Sequence, residues 1–359
     1  MTEQRDALDG TRFLVIAAAL VIIVYGVNQA QTFVSLFLVS LFLALLGTPP
    51  VLWLERKRVP SFLSVVIVMG AMVTFLLAVG GVVGSSLNTL SNTLPMYESR
   101  LHEQVLGLKD LLATRNIDVT EKALFEYLNP GTVMSLLGGL FTGLGSVLSN
   151  IILILLTVTF ILLEASSFPV KLRAVLGDPK RAFPQFTKFA GDIRRFMIIK
   201  TIISLVVGVL IGLWLFILGV DFPILWGFLA FLLNFVPNVG QIFAAIPAVI
   251  LALLQLGPGT AALAAAGYAV IGFTLGNAVE PRIMGRNLGL STLVVFLSLL
   301  FWGNLLGPIG VILCIPLTMT LKFAFENNPS TRWIGILLGS EQPAESSRES
   351  SKRQTHPDT

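Results

Sequence analysis

Residues 219–249 read GVDFPILWGFLAFLLNFVPNVGQIFAAIPAV, and the length of the apolar run that they open decides the fold. That run extends from 222 to 256, about 35 residues or roughly 52 Å as one helix, against a bilayer core ~30 Å thick. Two crossings with a turn would need somewhat more than about 40 residues. The run is therefore too long for one span and too short for two. Its middle, Asn234-Phe235-Val236-Pro237-Asn238-Val239-Gly240-Gln241, explains how the chain resolves this. Pro237 donates no backbone hydrogen bond and clashes with the preceding turn, while Gly240 tolerates conformations that a helix forbids. The reading is a re-entrant hairpin of two half-helices, broken at 234–241.

The run 287–321 repeats the pattern: apolar Leu290–Trp302, then Gly303-Asn304-Leu305-Leu306-Gly307-Pro308-Ile309-Gly310, then apolar Val311–Leu321. Between the runs lies one good span, Thr260–Val279, ending at Glu280-Pro281-Arg282-Ile283-Met284-Gly285-Arg286. A re-entrant first run puts Arg282, Arg286 and Lys322 on the cytoplasmic side, where basic residues gather; a simple crossing puts both arginines outside. Two hairpins entering from opposite faces therefore fit better than the alternative, eight simple spans.

Outward from these runs, the chain is that of an all-α, polytopic membrane protein. Of its 359 residues 55% are hydrophobic and only 12% charged, and its mean hydropathy is +0.85. No Asp, Glu, Lys or Arg occurs between Phe13 and Leu54, Val59 and Tyr97, Tyr127 and Leu163, or Asn287 and Leu321; between Thr201 and Val279 there is only Asp221. A soluble helical core would need charged faces recurring every few residues. About six transmembrane helices plus the two hairpins account for these stretches. The first apolar stretch runs into a second with no cleavage-type site between them, so it reads as a retained span.

The chain divides at 1–84, a three-span unit; 85–131, a helical segment; 132–200, a long fourth span and a basic amphipathic segment; 201–325, the transport core; and 326–359, a mostly disordered tail. Segment 85–131 carries six acids against four bases, and 164–200 eight bases against three acids. Basic segments stay cytoplasmic, which places 85–131 outside and both termini inside, in the inner membrane. Leu87, Leu90, Leu94, Tyr97, Leu101, Val105, Leu108 and Leu112 line one face of the outer helix. Phe183, Phe186, Phe189, Ile193 and Phe196 form a similar stripe, read as a helix lying on the inner leaflet.

No catalytic, metal or cofactor motif appears: there is no phosphate-cradling Gly-Lys-Ser/Thr loop and no His-Glu-x-x-His. One cysteine, Cys314, excludes a disulfide framework. Nothing suggests nucleic-acid binding. Without a nucleotide site, transport would be driven by a gradient or be passive. Broken helices meeting near midplane are how many transporters build a substrate site. The candidates for contact with a small polar solute, or with H+ or Na+, are Asn234, Pro237, Asn238, Gly240, Gln241, Asn277, Asn304, Gly307 and Pro308. Glu280 and Asp221 are candidates for coupled protonation, Arg282 and Arg286 the charge partners of Glu280. Asp221 also reads as a half-helix cap, and the amides as inter-helix glue. A passive pore is the rival from another class; an intramembrane enzyme is a third.

Three blocks, 219–249 above, GNAVEPRIMGRNLGLSTLVVFLSLLFWG at 276–303 and GPIGVILCIPLT at 307–318, resemble the autoinducer-2 exporter family of bacterial membrane proteins. The resemblance covers roughly Phe13 to Phe325. It implies a multi-pass inner-membrane protein that assembles as a homo-oligomer. It also implies efflux of a signal such as autoinducer-2 or, as in other members, sodium/proton antiport.

Overall fold

The computed structural model describes residues 15, 18–19, 21–113, 150–176, 184–237, 239–284 and 289–339, and every regular element among them is helical. The order is α1 (Gln31–Arg56), α2 (Ser61–Ala113), α3 (Ile151–Leu176), α4 (Pro184–Ile217), α5 (Pro223–Leu233), α6 (Gly240–Leu256) and α7 (Pro258–Phe273). A π-helical turn (Thr274–Val279), α8 (Glu280–Met284), α9 (Thr292–Glu326) and α10 (Arg332–Leu337) complete it. Five described segments are long and apolar enough to cross a membrane: Gln31–Arg56, Ser61–Leu90, Gln185–Ile217, Pro258–Met284 and Thr292–Glu326. Residues 21–29 are helical and belong to the expected first span. The described part of the fourth span is the shorter apolar helix Ile151–Ala165. The rest of the acidic segment (114–131) and the tail from Ser340 lie outside the described residues.

Both expected hairpins are present. In the first, α5 and α6 flank the break, and their far ends are tied together where the Asp221 N–H donates to Gln255 Oε1 at 3.0 Å. In the second, α9 is interrupted at Gly307, which sits at φ 65° and ψ −150°, a backbone state that side chains disfavour. Trp302 Nε1 donates to Thr318 Oγ1 at 3.0 Å across that break. A straight helix would hold these residues roughly 24 Å apart. At the open end Lys322 Nζ donates to the Gly289 carbonyl. Thr292–Glu326 is thus a folded-back pair of arms, not one rod.

The hairpins enter from opposite ends of α4. The C-terminal end of α4 leads within six residues into α5. Near its N-terminal end Phe189 stacks on Phe323, centroids 4.1 Å apart, at the open end of the second hairpin. Phe196 is buried there with Cys314. Part of the Phe183–Phe196 stripe therefore packs on protein instead of facing lipid. Helix α1 braces both tips: Ser35 Oγ donates to the Leu306 carbonyl at 3.3 Å, and Phe42 meets Phe235 edge-on at 5.9 Å.

The core that fixes the first hairpin is built from small residues. A Cβ on Gly227 of α5 would lie 2.6 Å from the Gly208 carbonyl of α4, and one on Gly208 2.7 Å from the Gly227 carbonyl. Close backbone approach of this kind is how helices associate in lipid, where apolar side chains gain little from leaving the solvent. Around this contact Val207, Ile211, Leu215, Leu225 and Trp226 are buried.

Candidate functional site

The first break opens into a cleft of about 1000 Å³ between α4, α6, the α7–α8 segment and the start of α9. Helical periodicity explains the wall that α7 offers: Ala265, Tyr268, Ala269, Gly272, Phe273 and Gly276 recur at spacings of three and four. The π turn then widens the helix by one residue, rotating the residues beyond it by about 100°. Past that turn Glu280 faces α4. Lys200 Nζ donates to both Glu280 carboxylate oxygens, at 2.8 and 2.9 Å. The two side chains are 6% and 17% exposed, so the pair is a nearly dry one, where loss of either partner strands a charge at a cost of about 3–5 kcal/mol.

One turn further along α4, Ser204 continues the polar line. Asn234 Nδ2 donates to Ser204 Oγ at 2.9 Å, and Gln241 Nε2 donates to Asn234 Oδ1 at 2.9 Å. The amides thus bridge the two ends of the first break and dock it on α4. Gly272 makes room for this: a Cβ there would overlap the Gln241 side-chain oxygen.

Of the residues singled out in the sequence, Asn234, Pro237, Gln241, Asn277 and Glu280 line the cleft. Gly240 is buried at the first position of α6. Asn238 and Arg286 lie outside the described residues. Asn304, Gly307 and Pro308 form the other tip and do not line the cleft; Gly307 faces Gln31 of α1. The second hairpin reaches the cleft through Leu290, Thr292, Val295 and Ile315 instead. Asp221 lies at the α4–α5 turn, at the far end of α4 from Lys200, and the N-cap of α5 falls on Phe222. Arg282 is exposed, and among the described residues the partner that holds Glu280 is Lys200.

Lys200, Ser204, Tyr268 and Gly272 escaped the sequence reading. For Lys200 a signal existed: Met-Ile-Ile-Lys-Thr-Ile-Ile (197–203) is a solitary cation inside an apolar run. Counted with the basic segment, it looked like its last member. Tyr268 sits in Ala-Ala-Gly-Tyr-Ala-Val, where nothing distinguishes a cleft-lining tyrosine from a packed one.

Helices long and apolar enough to cross a membrane, broken beside a cleft into which a few polar and charged side chains converge, are the build of a multi-pass membrane transporter. The sequence model of the AI-2E family transporter matches residues 13–329, and the chain belongs to that family. The AI-2 transport protein TqsA of Escherichia coli (strain K12) is 40% identical over 92% of this chain and 96% of its own. YhhT of the same organism is 34% identical over 93% and 96%. A protein of Haemophilus influenzae is 37% identical over 91% and 96%.

Proposed function

We propose that this chain is a gradient-driven exporter of a small polar solute, autoinducer-2 or a chemically similar signal, in the bacterial inner membrane. The observation that carries the reading is the buried Lys200–Glu280 pair in the wall of a cleft that opens onto a broken helix. Charges at membrane depth are costly and mark substrate or proton paths by default. The likeness to TqsA, whose name specifies AI-2 transport, supports the solute.

In this reading the Asn234–Gln241 amides bind solute oxygens, and Glu280 exchanges a proton. A proton arriving at Glu280 displaces Lys200, releases α8 from α4 and lets the first hairpin move relative to α7. Both termini and the basic segment 164–200 face the cytoplasm, and copies of the chain assemble as a homo-oligomer. The test is flux of autoinducer-2 in proteoliposomes with and without an imposed pH gradient. The expected result is saturable flux that falls when the gradient is collapsed. Flux that neither saturates nor senses the gradient would make the cleft a passive pore. Sodium/proton exchange without solute movement would make the protein a cation antiporter.

A further inference from the structure

We infer that Tyr268 is a solute-recognition residue and that the cleft selects neutral, oxygen-rich molecules over ions, an inference that rests on the cleft being the solute site. The Tyr268 side chain lines the cleft and is only 4% exposed. Its hydroxyl is buried with no hydrogen-bond partner among the described residues. A hydroxyl both donates and accepts, and leaving it unpaired away from water costs free energy that phenylalanine at the same place would avoid. The neighbouring trio Gln241, Asn234 and Ser204 satisfy one another; Tyr268 has no such partner among the described residues. Because Tyr268 also lines the cleft, a turn of its ring toward the cleft would give the hydroxyl a ligand oxygen as partner.

Charge narrows the class. Among the described residues that line the cleft, the charged side chains are Lys200 and Glu280, and in the ion-paired state each neutralises the other. A lone cation or anion entering this site would gain no net counter-charge for its lost hydration. The remaining polar wall is made of amides and hydroxyls: Asn234, Gln241, Asn277, Thr292 and Tyr268. These groups match hydroxyl and carbonyl oxygens. The fitting ligand is a small neutral compound bearing several such oxygens.

The experiment measures counterflow in proteoliposomes of autoinducer-2, ribose as a neutral polyhydroxylated probe, and ribonate as its anionic counterpart. Wild type, Tyr268→Phe and Asn234→Ala are compared. The neutral probes are expected to exchange in preference to ribonate. Tyr268→Phe should raise their half-saturation concentration about tenfold, the loss of one good hydrogen bond, with maximal rate unchanged. Its melting temperature should equal or exceed that of wild type, since an unpaired buried hydroxyl is gone. Preference for ribonate, or a Tyr268→Phe half-saturation equal to wild type, overturns the inference; a raised half-saturation in Asn234→Ala would still uphold the cleft. If wild type exchanges none of the three, the reading of the cleft as a solute site falls first, and this inference with it.

Discussion

Glu280 and Lys200 hold each other in a site almost closed to solvent, and this sets the sharpest expectation at the scale of single residues. Glu280→Gln removes the charge that compensates Lys200, so it should lower the melting temperature in detergent by a shift worth about 3–5 kcal/mol. Adding Lys200→Met should restore most of that loss, because an uncharged pair has nothing left to strand. Both variants should lose the pH-gradient dependence of flux, since an amide exchanges no proton. A Glu280→Gln protein as stable as wild type would show the pair to be incidental. Gly272→Ala makes a second case: its methyl group would drive Gln241 off Asn234. Raised half-saturation without loss of folded protein is expected from solute kinetics and size-exclusion profiles. Glu280 was legible in the sequence as an acid closing an apolar span. Its partner was not, because Arg282 stands two residues away and Lys200 eighty. Chain distance does not reveal Lys200, because the π turn and the crossing of α4 bring it to Glu280.

At the scale of elements, both hairpins were readable from length and from Pro and Gly at their centres, since neither run fits one crossing or two. Which hairpin tip borders the cleft was not readable. Asn304 and Pro308 sit at a break just as Asn234 and Pro237 do, but their tip docks on α1 and lies away from the cleft. Each hairpin closes on a glycine whose Cβ would overlap a backbone carbonyl of the opposite arm: Gly240 against Leu233, and Gly310 against Trp302. Backbone cannot yield as a side-chain tip does. Gly240→Leu should therefore abolish flux while the protein still inserts, and Gly310→Leu should do so by splaying the second hairpin off α1. Pro237→Ala should be milder, reducing flux several-fold, because the amide bridge still spans the break. Normal flux in Gly240→Leu and Pro237→Ala together would reduce the break to a packing kink.

At the scale of the whole molecule, charge asymmetry predicts an orientation that labelling can check. Helix α2 continues about 80 Å from Ser61 to Ala113, well past the length of a span. Its far end and the N-terminal end of α4 should lie on opposite sides of the membrane. In a Cys314→Ala background, Asn92→Cys should react with an impermeant thiol reagent on intact spheroplasts, whereas Lys188→Cys should react only after permeabilisation. The reverse pattern would invert the protein. Passage of solute through the cleft beside α7 can be tested on two adjacent residues of that helix. Ala269 lines the cleft, while Val270, 65% exposed, does not. Ala269→Cys and Val270→Cys, each in the Cys314→Ala background, are treated with N-ethylmaleimide, and autoinducer-2 flux is then measured in proteoliposomes. Modification at 269 should stop flux and be slowed by autoinducer-2, whereas modification at 270 should leave flux intact. Full flux after complete modification of Ala269→Cys would contradict passage through the cleft.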